Sequence, residues 1–212
     1  MSEGAVLGQN GRERPTVRRI RVASRLGIVI ASSREGRVGE AVANWVIEQA
    51  RAHGGFDVEV LDLKAIGLPM FSEPNHPRFA QYTLESTKRW SATIAALDAF
   101  VFVSPEYNHG TPPALANALD HLFSEWHYKP VGLVSYGGVS AGLRSAQSTK
   151  LLLSALKMVP LVEAVALPFF AQHIDKTTGV FTGGEANDKA AKVMLDELVR
   201  WETALRTLRP AK

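Results

Sequence analysis

The sequence predicts a three-layer α/β domain: a parallel five-stranded sheet in the order 2-1-3-4-5, covered by helices on both faces. Two observations carry this. Apolar runs rich in Val, Ile, Leu and Phe alternate five times with amphipathic segments, so right-handed β–α–β crossovers are the expected connections. The loops after the first, third and fourth runs are rich in Ser, Gly, Pro and Asn, and in that strand order they gather at one crevice beyond the carboxyl ends of neighbouring strands.

Residues 26–32 form an unbroken apolar run that ends in a Ser/Gly/Arg turn, the pattern of a strand buried on both faces. Val38, Val42, Trp45 and Val46 then recur at helical spacing over 38–53, closed by Gly54-Gly55. Residues 58–63 alternate as a second strand. A Pro-containing loop over 67–77 leads to a helix expected over 78–96, and 99–103 is a third strand rich in Val and Phe. Pro112-Pro113 opens a helix to about residue 124, because the missing proline N–H bonds nothing in a first turn. A fourth strand over 131–135, a helix over 142–157, a fifth strand over 161–167 and a closing helix over 187–208 complete the pattern. Trp45 and Trp90 are expected in the core. Trp126 is read either as a contact between subunits or as a half-buried loop aromatic.

The 212 residues are 46% hydrophobic, enough for one well-buried domain. Residues 1–22 read as a disordered basic leader and 23–212 as the folded domain. Residues 1–25 hold six arginines against two glutamates, and the rest of the chain is close to neutral, which argues against a nucleic-acid surface. There is no cysteine, so disulfides, thiolate metal sites and cysteine nucleophiles are excluded. The six histidines form no ligand-spaced set. No apolar run is long enough to span a bilayer as a helix, and a cytoplasmic protein without a membrane partner is expected.

The first loop, Ser32-Ser33-Arg34-Glu35-Gly36-Arg37-Val38-Gly39, offers hydroxyls, guanidinium forks and glycines at a helix N-terminus, which suits a phosphate dianion. A plain turn with a serine cap is its ordinary alternative. It matches neither G-x-x-x-x-G-K-[ST] nor G-x-G-x-x-G, and Asp62 reads as a capping or surface residue rather than a ribose ligand. The second loop, Ser104-Pro105-Glu106-Tyr107-Asn108-His109-Gly110, combines fixed backbone, a flat side chain and an amide that both donates and accepts. The third, Ser135-Tyr136-Gly137-Gly138-Val139-Ser140, offers a Gly-Gly pair whose N–H groups could face an oxygen or anionic nitrogen. The loops after strands two and five, including Pro168-Phe169-Phe170, read as ordinary connections. Arg144 reads as a solvated helix residue, with a nicotinamide phosphate contact as the alternative.

These three loops, with Leu115-Ala116-Asn117-Ala118-Leu119-Asp120 following the second, closely resemble the NADPH-dependent FMN reductase family from about residue 25 to 167. The resemblance implies a flavodoxin-like homodimer or homotetramer that binds FMN, takes electrons from NADPH or NADH and passes them to a quinone, azo compound, metal oxyanion or free flavin. Carried over by position, Ser32, Arg34, Arg37 and Gly39 would hold the phosphate. Pro105, Glu106, Tyr107 and Asn108 would line the flavin ring, and Ser135, Tyr136, Gly137 and Gly138 would close its pyrimidine side, with the Gly137 and Gly138 amides steadying negative charge. His109 is a further candidate for lining the flavin site. No protein residue is expected to act as nucleophile or general acid. Three positions depart from the family: Ala31 and Pro113 replace common glycines and Ala116 a common lysine. Two other readings stay open, a non-enzymatic FMN electron carrier or redox-sensing partner, and a serine hydrolase using Ser140 in the G-x-S-x-G run over 138–142.

Overall fold

A computed structural model of the chain describes residues 24–210; the expected leader over 1–22 lies outside them. Five parallel strands, β1 (Ser24–Ile30), β2 (Phe56–Asp62), β3 (Ala99–Pro105), β4 (Pro130–Tyr136) and β5 (Val159–Leu167), pair in the order β2-β1-β3-β4-β5, as the sequence predicts. Helices α1 (Gly39–His53), α2 (Leu63–Ile66), α3 (Glu85–Ala96), α4 (Pro113–Asp120), α5 (Leu143–Ala155) and α6 (Gly184–Leu205) connect and follow them. None of the described helices is long and apolar enough to cross a membrane.

The unbroken apolar runs reflect burial on two faces. β3 and β4 are buried at every position, and the sheet separates two cores. One joins β1, β3, β4 and β5 residues to α1 and α6 through Trp45, Val46, Met194 and Leu198. The other joins Phe100, Phe102 and Leu133 to α3, α4 and α5 residues, with Trp90 and Trp126 in edge contact. Trp126 is 1% exposed and its indole N–H bonds the Leu119 carbonyl, so it is a core residue and not a half-buried loop aromatic. Ala31 is also wholly buried in this second core, and its N–H extends the β1–β3 ladder to the Val103 carbonyl at 3.0 Å. The methyl group that departs from the family pattern therefore fills core space.

The helix expected over 78–96 is shorter. Residues Pro77–Phe79 form a single 3₁₀ turn, Ala80 adopts a left-handed φ of 51°, and α3 starts only at Glu85. The reason is tertiary: the buried Glu73 carboxylate accepts from Thr83 N, Thr83 Oγ1 and Leu84 N at 2.8, 2.8 and 3.0 Å, holding these residues outside the helix. Asn117 on α4 docks the same loop, accepting from Phe71 N and donating to the Pro69 carbonyl at 2.8 and 2.9 Å.

Candidate functional site

The carboxyl ends of β1, β3 and β4 open into a cleft of about 380 Å³. Its walls include Ser32, Arg34, Arg37 and Gly39 from the first loop, Pro105, Glu106 and Tyr107 from the second, and Tyr136, Gly137 and Gly138 from the third. Parallel pairing explains the convergence: β3 and β4 run in register up to Pro105 opposite Tyr136, so their loops leave the sheet side by side.

At one end lies the start of α1. Its N-cap is Val38, which makes no side-chain capping bond, so the serine cap considered from the sequence does not form. The first-turn N–H groups of a helix lack intrahelical partners and favour anions. Arg34 stands exposed beside them. Arg37 differs: its side chain is 5% exposed, and its guanidinium forks onto both Asp62 oxygens at 2.7 and 2.6 Å while also bonding Glu40 and the Ser32 carbonyl. Asp62 holds the Arg37 guanidinium firmly charged, and Arg37 in turn holds the Asp62 carboxyl below its usual range. Asp62 also caps α2 by accepting from Lys64 N, as the capping reading expects. Arg37 therefore braces the loop from its place in the cleft wall.

The second loop is a tight reversal. Tyr107 and Gly110 exchange N–H···O=C bonds of 3.2 and 2.9 Å, and Asn108 and His109 between them take positive φ of 49° and 68°, the requirement of a two-residue type I′ turn. Asn108 and His109 are exposed corner residues and are absent from the cleft walls. Tyr107 does face the cleft, and its hydroxyl lies 2.6 Å from Ser32 Oγ, tying the second loop to the first.

In the third loop, Tyr136 is 4% exposed and packs on Phe170 at 4.7 Å between ring centroids. Burial, then the nearby Tyr107, push its hydroxyl pKa up, so it stays a neutral phenol. Ser135 is a buried strand residue beneath the cleft and contributes nothing to its walls. The Gly137 amide donates to the Leu167 carbonyl at 3.2 Å and so is already engaged, contrary to the expectation that both glycine amides point at a ligand. Gly138 is open: a Cβ built there meets no protein atom within 4 Å.

Sequence reasoning missed the fourth wall. Phe169, Phe170, Ala171 and Gln172, taken as an ordinary connection after β5, line the cleft. Phe169 holds a left-handed φ of 47°, is half exposed, and donates its N–H to the Gly138 carbonyl at 3.2 Å. The available signal was an aromatic pair at the carboxyl end of the strand next to β4.

Ser140 does not have the surroundings of a hydrolase nucleophile. Its hydroxyl donates to Glu106 Oε2 at 3.2 Å, and Arg144, first among its partners, holds that carboxyl below the usual range. Arg144 is bound to Glu106 as well and is not a freely solvated helix residue.

Residues 24–172 match the family model described as NADPH-dependent FMN reductase. An NAD(P)H-dependent FMN reductase of Schizosaccharomyces pombe is 40% identical over 153 residues, covering 70% of this chain and 76% of the relative. One from Nectria sp is 35% identical over 175 residues, covering 79% and 87%. Among solved structures, the flavoenzyme NAD(P)H:(acceptor) oxidoreductase FerB of Paracoccus denitrificans superposes with a TM-score of 0.67 at 21% identity, covering 85% of this chain and 98% of that one.

Proposed function

Because this chain belongs to the NADPH-dependent FMN reductase family, we propose that the cleft holds FMN and that the protein is an NAD(P)H-dependent oxidoreductase whose acceptor is a small flat molecule of the quinone or azo class. The observation that carries the cofactor reading is the pairing of an uncapped helix start with an open glycine in one cleft. Anionic phosphate suits the first end and a planar ring edge the second.

Bound FMN would supply the two-electron redox chemistry between a nicotinamide and the acceptor. The chain supplies position and electrostatics. The α1 amides, Ser32 and Arg34 would hold the phosphate, while Arg37, neutralised by Asp62 and Glu40, keeps their loop in place. Pro105, Glu106 and Tyr107 would flank the ring on one side and Tyr136 and Gly138 on the other. Tyr136 and Phe170 form an apolar floor that excludes water from the ring. Metal oxyanions and free flavin are the other acceptors the family resemblance suggests, and the working unit is read as a cytoplasmic homodimer or homotetramer. The half-exposed Phe169 ring on the fourth wall favours the flat aromatic class.

The direct test is uptake of FMN by the purified protein, read as a bound flavin absorption band, followed by oxidation of NADPH and NADH with a quinone. Failure to bind added FMN overturns the reading, and rapid reduction by NADPH separates a reductase from an electron carrier. Gly138→Ala sharpens it. The methyl group meets no protein atom, so the melting temperature should stay unchanged, while FMN affinity falls about tenfold or more as the methyl intrudes on the ring site. Unchanged affinity would place the ring elsewhere.

Phe169→Gly tests the acceptor class. It removes the ring and also relieves the left-handed backbone, so stability should hold within about 1 kcal/mol. Loss of an aromatic stacking partner should raise KM for a naphthoquinone about three- to tenfold and leave KM for ferricyanide, which cannot stack, as it was. An equal change for both acceptors would count against a stacking role.

A further inference from the structure

Arg144 makes more specific contacts than a solvated helix residue would. Glu106 lines the cleft and its side chain is only 7% exposed. Arg144 Nε donates to its Oε1 at 2.6 Å and Arg144 Nη2 pairs with the same oxygen. The Arg144 backbone N–H and the Ser140 hydroxyl donate to Oε2 at 3.1 and 3.2 Å. All four donors therefore belong to residues 140–144, at the junction of the third loop and α5. One carboxylate at the end of β3 clamps the loop that leaves β4, the loop that carries Gly137 and Gly138. Arg144 itself is about half exposed and stands outside the cleft walls.

Arg144 is the cation paired with this buried carboxylate, and removing one partner of a buried pair leaves an uncompensated charge. With Arg144 paired, the couple is neutral; without it, a negative charge would be left on the cleft wall. Charge beside a flavin ring acts more strongly on the reduced form, which carries more negative charge than the oxidised form. Two consequences converge on one residue, the placement of the Gly138 loop and the cancellation of charge at the ring end.

On the FMN reading above, we propose that Arg144 is a positioning residue that fixes the 137–142 loop through Glu106 and cancels the Glu106 charge, so that reduced FMN is not disfavoured relative to oxidised FMN.

The experiment compares Arg144→Gln, Arg144→Lys, and the double variant Arg144→Gln with Glu106→Gln. FMN-loaded protein is poised against redox dyes to read the two-electron midpoint potential, and amide hydrogen exchange is followed at residues 137–142 in the apo chain. Arg144→Gln should weaken reduced relative to oxidised FMN by about tenfold, a fall of about 30 mV for a two-electron couple. The double variant should return to the parent potential, because it removes the charge as well as its partner. Arg144→Lys should keep the potential near the parent value. In the apo chain, exchange at 137–142 should quicken in Arg144→Gln.

A potential that does not move in Arg144→Gln, or that stays low in the double variant, overturns the proposal. So does a rise in KM for NADPH but not NADH at unchanged potential, which would make Arg144 a phosphate contact. If the parent protein takes up no FMN, the cofactor reading fails; unaltered apo-chain exchange in Arg144→Gln separately sinks the clamp.

Discussion

Gly39→Ala is expected to weaken FMN binding by about a hundredfold or more and to lower stability by about 1–3 kcal/mol, the scale of an overpacked buried site. Gly39 is the first residue of α1, and its backbone needs no left-handed conformation. What it needs is space. A Cβ built there would lie 1.9 Å from Tyr136 Oη, 2.5 Å from Cζ and 3.2 Å from Cε2. Real Cβ atoms do not approach this closely, so either the ring or the helix start must move. Tyr136 is 4% exposed and rests on Phe170, and moving it disturbs the floor of the cleft. Moving α1 would disturb the amides proposed to hold the phosphate. Both routes damage the site, which makes the effect on binding larger than the effect on folding. Adding Tyr136→Phe removes the hydroxyl yet leaves Cζ at 2.5 Å, so partial rescue at most is expected. FMN titration and thermal melts of the two variants check this, and wild-type affinity in Gly39→Ala would show that the cleft is not the binding site.

Gly39 also shows where sequence reasoning reaches its limit. Alternation of the elements implies a parallel sheet but not its strand order; with the order 2-1-3-4-5, the loops after β1, β3 and β4 share one crevice. Resemblance to the family assigned Gly39 to the phosphate. The structural demand on that glycine comes from Tyr136, almost a hundred residues later, and no local pattern encodes it. The fourth wall was illegible for a related reason: a left-handed phenylalanine has no sequence signature, and Phe169-Phe170 reads like any exit from a buried strand. The Asn108 amide suits a heterocycle, and asparagine equally tolerates positive φ at a turn corner, which is where the structure places it. Arg37 reads as an anion ligand until Asp62 and Glu40 are seen on its fork. Tyr136 and Asp62 act on Gly39 and Arg37 from distant parts of the chain, whereas the demand on Asn108 is its own local turn.

A second large effect is expected away from the cleft, at Glu73. This carboxylate is 8% exposed. Burial alone would raise its pKa, but the hydrogen bonds from Thr83 and Leu84 outweigh burial and bring it down to about 2 from an ordinary 4.5. A folded-state pKa below the unfolded one contributes stability above the unfolded pKa, and that contribution is lost as pH falls from about 4.5 toward 2. The difference corresponds to about 3 kcal/mol at neutral pH, reduced to about 2–3 kcal/mol once solvent screening at the margin of the loop is allowed for. Glu73→Gln should therefore destabilise the protein by about that amount at pH 7, and the gap between parent and variant should shrink by about half at pH 3. Urea unfolding at the two pH values reads both quantities. Because no residue of the loop over 67–84 lines the cleft, FMN affinity of the folded variant should stay within about twofold of the parent at pH 7. A gap that does not depend on pH would mean that Glu73 holds Thr83 and Leu84 by shape rather than by charge. A large loss of FMN affinity would mean that this loop, docked on α4 through Asn117, reaches the cleft through the second core and is coupled to it.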